Sequence, residues 1–287
     1  MRRKVTAAVL LVLLLGCLCA CGDKTDKDDI RNYNKTGEYE SNSNDAIPTV
    51  SEDDLVTKPP KNGTATPTPT PKPAKQYIVV LDPGHGGKDP GACYDGRKEA
   101  KLNLQLANYI RDYLTANYTN VKVILTREED VELDPEKGPD LRARVQVGVD
   151  NHADIVVSLH LNASDNHKQN GSMVCISKQK NITDQSKKLA DCILKRLEGL
   201  GLKNNGTLKR DSGDTFDENG VPFDYYAICR HGASNNLISI IVESCFIDND
   251  SDAEHLRTEE ALKELAEAES KGIMEFLTKQ YNNGAEG

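Results

Sequence analysis

No stretch of this chain fits G-x-S-x-G, the strand-to-helix elbow that presents a nucleophilic serine above an α/β sheet. A serine hydrolase reading is therefore left without its nucleophile. Basic residues are in the minority, 36 Lys and Arg against 45 Asp and Glu, for a formal net charge of -9. Arg2, Arg3 and Lys4 lie in an amino-terminal stretch free of acidic residues, so the rest of the chain is more acidic still. Nucleic acid and anionic membrane faces both reward clustered Lys and Arg, so neither is expected as the main partner. A disulfide framework is missing too. Cys17, Cys19 and Cys21 belong to the apolar amino-terminal segment, and Cys93, Cys175, Cys192, Cys229 and Cys245 form no CxxC pair. An odd number of this kind predicts thiols packed as small apolar side chains. There is also no internal repeat.

Core-forming residues are scarce over 22–75. The first part is charged and polar, and "PPKNGTATPTPTPKPAK" alternates threonine with proline. Such sequence buries too little apolar area to offset its ordering entropy, and its Pro-rich part is expected to be extended. Ahead of it, "MRRK" followed by "VTAAVLLVLLLGCLCA" has the charge and length of a signal peptide rather than a membrane span. "LCAC", Leu18 to Cys21, resembles the lipobox of bacterial lipoproteins. The expected organisation is a signal peptide over 1–20, a lipidated Cys21 with a disordered tether over 21–75, a catalytic domain over 76–282 and a flexible tail over 283–287. Two acyl chains on Cys21 suffice for stable attachment, which implies an extracytoplasmic, lipid-anchored protein. A plain signal peptide and secretion to the cell wall is the alternative.

From residue 76 the pattern changes. Short apolar runs, "YIVVL" (77–81), "VKVILT" (121–126), "DIVVSLHLN" (154–162) and "LISIIVE" (237–243), alternate with helical periodicity. In 99–117, for example, Leu102, Leu106, Ile110 and Leu114 share one helical face. The expected fold is α/β, a mostly parallel twisted sheet with helices on both faces in a single domain. The segment 204–236 reads as long, polar and irregular, suited to shaping access to a site.

Three of the apolar runs end on metal-capable side chains: "VVLDPGH" on His85, "VVSLHLN" on His160 and "IIVESCF" on Glu243. An apolar strand gains nothing from such a residue unless something satisfies it. A catalytic zinc takes three protein ligands, His and carboxylate, and keeps one position open. His85 and His160 are the nitrogen donors. Glu99, at the start of the first helix, is a third candidate, although alone it reads equally as a carboxylate facing the helix dipole. Glu243 is then available as general base toward water. Asp82 is expected to orient His85. His152, His167, His231 and His255 lie in helical or loop contexts without matching apolar runs and read as structural.

"VVLDPGHGGKDPGA", "RKEAKLNLQLA", "ADIVVSLHLNAS" and "IVESCFIDNDSD" occur in that order. Together they resemble the four blocks of the zinc-dependent N-acetylmuramoyl-L-alanine amidases of the third amidase type, peptidoglycan hydrolases of bacterial walls. The resemblance spans essentially all of 76–282. It implies zinc held by His85, Glu99 and His160, Glu243 as the catalytic glutamate, and cleavage between N-acetylmuramic acid and the L-alanine of the stem peptide. Peptidoglycan is then the partner, together with the membrane through the lipid anchor. Asn162 and Arg230 are candidates for substrate contact, Arg230 toward a stem-peptide carboxylate. Ser244-Cys245 departs from the small residue, often glycine, that the family carries before the phenylalanine. The nearest alternatives are a zinc peptidase or deacetylase on the same polymer, or a non-catalytic wall-binding domain of the same fold.

Overall fold

Strand β1 (Tyr77–Pro83) is buried on both faces. Val79 and Leu81 point into one core and Val80 into another, as successive residues of a strand must. β5 (Ile155–Asn162) and β10 (Ile238–Phe246) repeat the pattern: Val157 and Val242 face the first core, Val156 and Ile241 the second. Strands buried on both faces are the mark of a sheet covered by helices on each side. The computed structural model describes residues 75–282. The expected leader, Cys21, the tether and the tail lie outside the described residues, apart from Lys75.

The main sheet adds β4 (Val121–Leu125), β6 (Ser172–Cys175) and β7 (Asn204–Leu208), in the order β4-β1-β5-β10-β6-β7. β4, β1, β5 and β10 run parallel. β6 then pairs antiparallel with β10, and β7 runs parallel to β6. The larger core lies under α1 (Glu99–Asn117), α3 (Thr183–Glu198) and α5 (Glu259–Asn282). Leu106, Ile110 and Leu114 from α1, Leu189, Ile193 and Leu197 from α3, and Leu265, Ile273 and Leu277 from α5 belong to it, with α1 and α3 each packed against α5. Each such side chain contributes about 1.5–3 kcal/mol when fully buried. On the opposite face, α2 (Lys137–Asp150) and α4 (Ala227–Ser234) cover a smaller core through Leu141, Val145, Ile228 and Cys229. No helix among the described residues is long and apolar enough to cross a membrane.

The expectation of an irregular segment over 204–236 is corrected. It holds β7, then β8 (Asp211–Phe216) paired antiparallel with β9 (Pro222–Asp224), then α4. Its few apolar residues hide the strands from a periodicity argument. The turn between β8 and β9 is held by polar atoms, with Asp217 Oδ1 accepting from the amides of Asn219 and Val221 at 2.9 and 2.8 Å. Cys93, Cys175, Cys192, Cys229 and Cys245 are all free thiols.

Candidate metal centre

Because β1, β5 and β10 run parallel, their carboxyl ends share one edge, where open α/β sheets gather ligand-binding residues. His160 on β5 and Glu243 on β10 are register partners there. β1 ends at Pro83 and turns sharply through Gly84. His85 itself takes a left-handed φ of 61°, followed by Gly86 at 122° and Gly87 at 58°. For a residue with a Cβ that conformation costs on the order of 1–2 kcal/mol, so surrounding contacts have to impose it.

Two buried arginines do so. Arg127 donates to the carbonyls of Pro83, Gly84 and Ala100 at 2.8, 3.0 and 2.8 Å. Arg144 on α2 donates to the carbonyls of Pro83 and His85 at 3.0 and 2.9 Å. Its charge is balanced by Asp82 at 3.0 Å and Asp140 at 2.7 Å. Burial opposes ionisation of Asp82, yet Arg144 and the hydroxyls of Ser158 and Thr126 hold its pKa below the ordinary value. Asp82 therefore anchors the turn. Contrary to the expectation from the sequence, it does not orient His85. That task falls to Asp89, whose Oδ2 lies 2.8 Å from His85 Nδ1. Asp89 is held down to about 2, first by that hydrogen bond.

Glu99 opens α1 and turns inward. Its Oε1 lies 3.1 Å from His85 Nε2 and 3.0 Å from His160 Nδ1. The same oxygen accepts from the Leu161 amide at 3.1 Å, and Oε2 from the Ala92 amide at 2.8 Å. The two imidazoles stand edge to face with centroids 4.8 Å apart. One donor atom from each of His85, Glu99 and His160 lies within 4.8 Å of the others, and all three side chains are buried. Backbone closeness makes this packing possible. A Cβ on Gly84 would sit 2.2 Å from His160 Nε2, and one on Gly91 2.5 Å from Glu99 Oε2.

The electrostatics suit a cation. Burial works against charge on His85, yet its hydrogen bonds to Asp89 and Glu99 outweigh this and raise it to about 9. Burial likewise opposes ionisation of Glu99, and the two imidazoles hold it well below the carboxylate range. A site that stabilises positive charge with two imidazoles and one carboxylate fits a divalent metal, and this donor set is that of catalytic zinc. Asp89 behind His85 is the outer partner that orients a ligating imidazole. A cleft of about 280 Å³ opens onto His85 and His160 and is also lined by Lys88, Asp89, Lys137 and Arg144.

The remaining candidates are distributed as follows. Glu243 is 1% exposed, beside His160. Asn162 is buried at the end of β5, where its Oδ1 accepts from the Ala163 amide at 2.9 Å. Arg230 is buried in α4, and Nη1 donates to the Asp224 carbonyl at 2.9 Å. Cys245 packs in the larger core, and burial pushes its thiol well up. Sequence reasoning missed Asp89, Arg127 and Arg144. Asp89 carried a weak signal, four residues past His85 across two glycines. The arginines carried none, since what they hold is backbone.

A buried His-Glu-His cluster that could hold a metal ion thus lies at the carboxyl edge of a parallel sheet, with a glutamate alongside and an open cleft. The sequence profile of the N-acetylmuramoyl-L-alanine amidase family matches residues 79–275, and the chain belongs to that family. It is 31% identical over 209 residues to the endolysin of Bacillus phage SPP1, covering 72% of this chain and 68% of the endolysin. It is 30% identical over 217 residues to the germination-specific N-acetylmuramoyl-L-alanine amidase of Bacillus subtilis, covering 72% of this chain and 83% of that protein. Among solved structures, the N-acetylmuramoyl-L-alanine amidase of Clostridium difficile 630 superposes with a TM-score of 0.58 at 25% identity, covering 71% of this chain and 98% of the other.

Proposed function

We propose that this chain is a peptidoglycan amidase that hydrolyses the bond between the lactyl group of N-acetylmuramic acid and the L-alanine of the stem peptide. In this reading His85, Glu99 and His160 hold zinc, and Glu243 is the general base. The observation that carries it is the convergence of those three donors next to Glu243, in a member of this family.

Zinc, when bound, supplies Lewis-acid polarisation of the scissile carbonyl and makes nearby water more acidic. Glu243 takes a proton from the attacking water and returns it to the departing amine of L-alanine, a transfer worth about 10²–10⁴ in rate. Its burial beside His160 keeps bulk water away from that proton. Asp89 fixes the ring of His85 so that Nε2 faces inward. Arg127 and Arg144 pin the turn, so His85 is set before substrate arrives, and such preorganisation is where much of the rate advantage of a site originates.

The same reading includes attachment through a lipidated Cys21, with the Pro/Thr-rich segment spanning the distance to the wall. The test of the proposed function is metal add-back. Purified protein releases soluble fragments from peptidoglycan, stops when chelated and resumes on addition of zinc. Undiminished release after complete metal removal would overturn the zinc mechanism.

A further inference from the structure

A second cleft, of about 250 Å³, lies beside the segment that holds Glu99. Its wall includes Ala92, Tyr94, Ser164, Asp165, His167 and Asp248. Continuity with the metal centre is direct. Ala92 donates its amide to Glu99 Oε2, and the wall segment 163–167 follows His160 and Asn162 without a break. Tyr94 comes from β2 (Cys93–Tyr94), which pairs with β3 (Arg97–Lys98) in the hairpin leading into α1.

Three features mark this cleft. The rings of Tyr94 and His167 lie together, centroids 4.8 Å apart and tilted by 40°. His167 has a left-handed φ of 54°, a strained state for a residue with a Cβ. Its side chain is 51% exposed, yet Nδ1 is fixed 2.8 Å from Asp248 Oδ2. Asp248 is itself buried. Its Oδ2 also accepts from the Ser164 amide at 2.9 Å, while Oδ1 has no hydrogen-bond partner among the described residues. Leaving a buried carboxylate oxygen unpaired costs stability. Violations of this kind gather where a site is being built.

Chemistry separates the two clefts. The first carries Lys88, Lys137 and Arg144, with several carboxylates, and suits the charged groups of a peptide. The second has Asp165 and Asp248 and no Lys or Arg in its wall; the Arg97 guanidinium lies 5.9 Å from the Tyr94 ring centroid. The second cleft is therefore less suited to a peptide carboxylate than the first. It offers an aromatic platform, an imidazole held in one orientation and a carboxylate acceptor. Those groups match a pyranose, which has apolar C–H faces and a rim of hydroxyl and amide donors. We propose that this cleft is a saccharide subsite that holds the glycan strand, with Tyr94 and His167 as its platform. The stem peptide then lies in the cleft beside α2. The assignment rests on the amidase reading, in which the bond cut joins a sugar to a peptide.

The test uses zinc-loaded full-length protein and peptide-free glycan strands of alternating N-acetylglucosamine and N-acetylmuramic acid, measured by titration calorimetry. An aromatic contact of this kind is worth about 0.5–1.5 kcal/mol, roughly a twofold to tenfold change in affinity. Tyr94→Ala and His167→Ala are expected to weaken strand binding by about that factor and to raise KM on peptidoglycan alike, with kcat nearly unchanged. Tyr94→Phe retains binding. If wild type releases stem peptides yet binds the strands no better than Tyr94→Ala, the subsite is overturned and the amidase reading stands. If wild type releases no stem peptides, the amidase reading fails, and strand binding by wild type against Tyr94→Ala still decides the subsite. A loss of thermal stability in His167→Ala with binding and KM unchanged would mean that the pair only braces the loop, which also overturns the proposal.

Discussion

Glu243 and His160 are register partners on adjacent parallel strands, one residue from each strand's apolar run meeting at the same edge of the sheet. The pairing puts a carboxylate beside a candidate metal ligand through backbone geometry alone. Glu243→Gln keeps the shape and removes the base. The expected outcome is a fall in kcat of about 10²–10⁴ with stoichiometric zinc retained, checked by kinetics and metal analysis on one preparation. Full activity would remove Glu243 from the mechanism.

Arg144 joins Asp82, Asp140 and two turn carbonyls in a buried network. Removing one partner of a buried ion pair costs about 3–5 kcal/mol, because the others are left uncompensated. Arg144→Ala is expected to lose stability on that scale in urea unfolding, and to lose zinc affinity as the His85 turn relaxes. A variant equally stable and equally tight for zinc would show that the turn holds itself.

Glu269 on α5 is fully buried with one hydrogen bond, Ser244 Oγ donating to Oε1 at 2.5 Å. Burial raises its pKa from 4.5 to about 7. An acid with a raised folded pKa favours folding while protonated, so its contribution is complete below about pH 4.5 and declines as pH rises to about 7. The decline is on the order of 3 kcal/mol. Glu269→Gln removes this titration. Relative to wild type, the variant is expected to gain stability between pH 5 and pH 8. Equal slopes of unfolding free energy against pH in the two proteins would contradict it.

Cys21→Ser tests attachment. Wild type is expected in the membrane fraction and the variant in the soluble extracytoplasmic fraction. Membrane retention of the variant at the wild-type level would exclude Cys21 as the anchor.

The parallel core was legible because its strands are continuous apolar runs, and the candidate site because His85, His160 and Glu243 interrupt those runs at their ends. Glu99 was ambiguous, since a first-turn glutamate suits a helix dipole whether or not it meets two imidazoles. β8 and β9 were hidden because "DSGDTF" and "PFD" carry little apolar alternation and owe their pairing to a polar turn. Asp82 was given the role of Asp89, because proximity in sequence to His85 did not reveal that the Asp82 side chain points toward Arg144. The surroundings of His167 were not legible for a related reason. Its partners Asp248 and Tyr94 lie 81 and 73 positions away, and only the fold brings them together.

The most direct measurement is mass spectrometry of purified peptidoglycan digested by the zinc-loaded protein, beside a chelated control. The account predicts free stem peptides beginning with unmodified L-alanine, together with peptide-free glycan strands, and neither product in the control. Fragments cut within the stem peptide, or strands deacetylated with their peptides still attached, would contradict it.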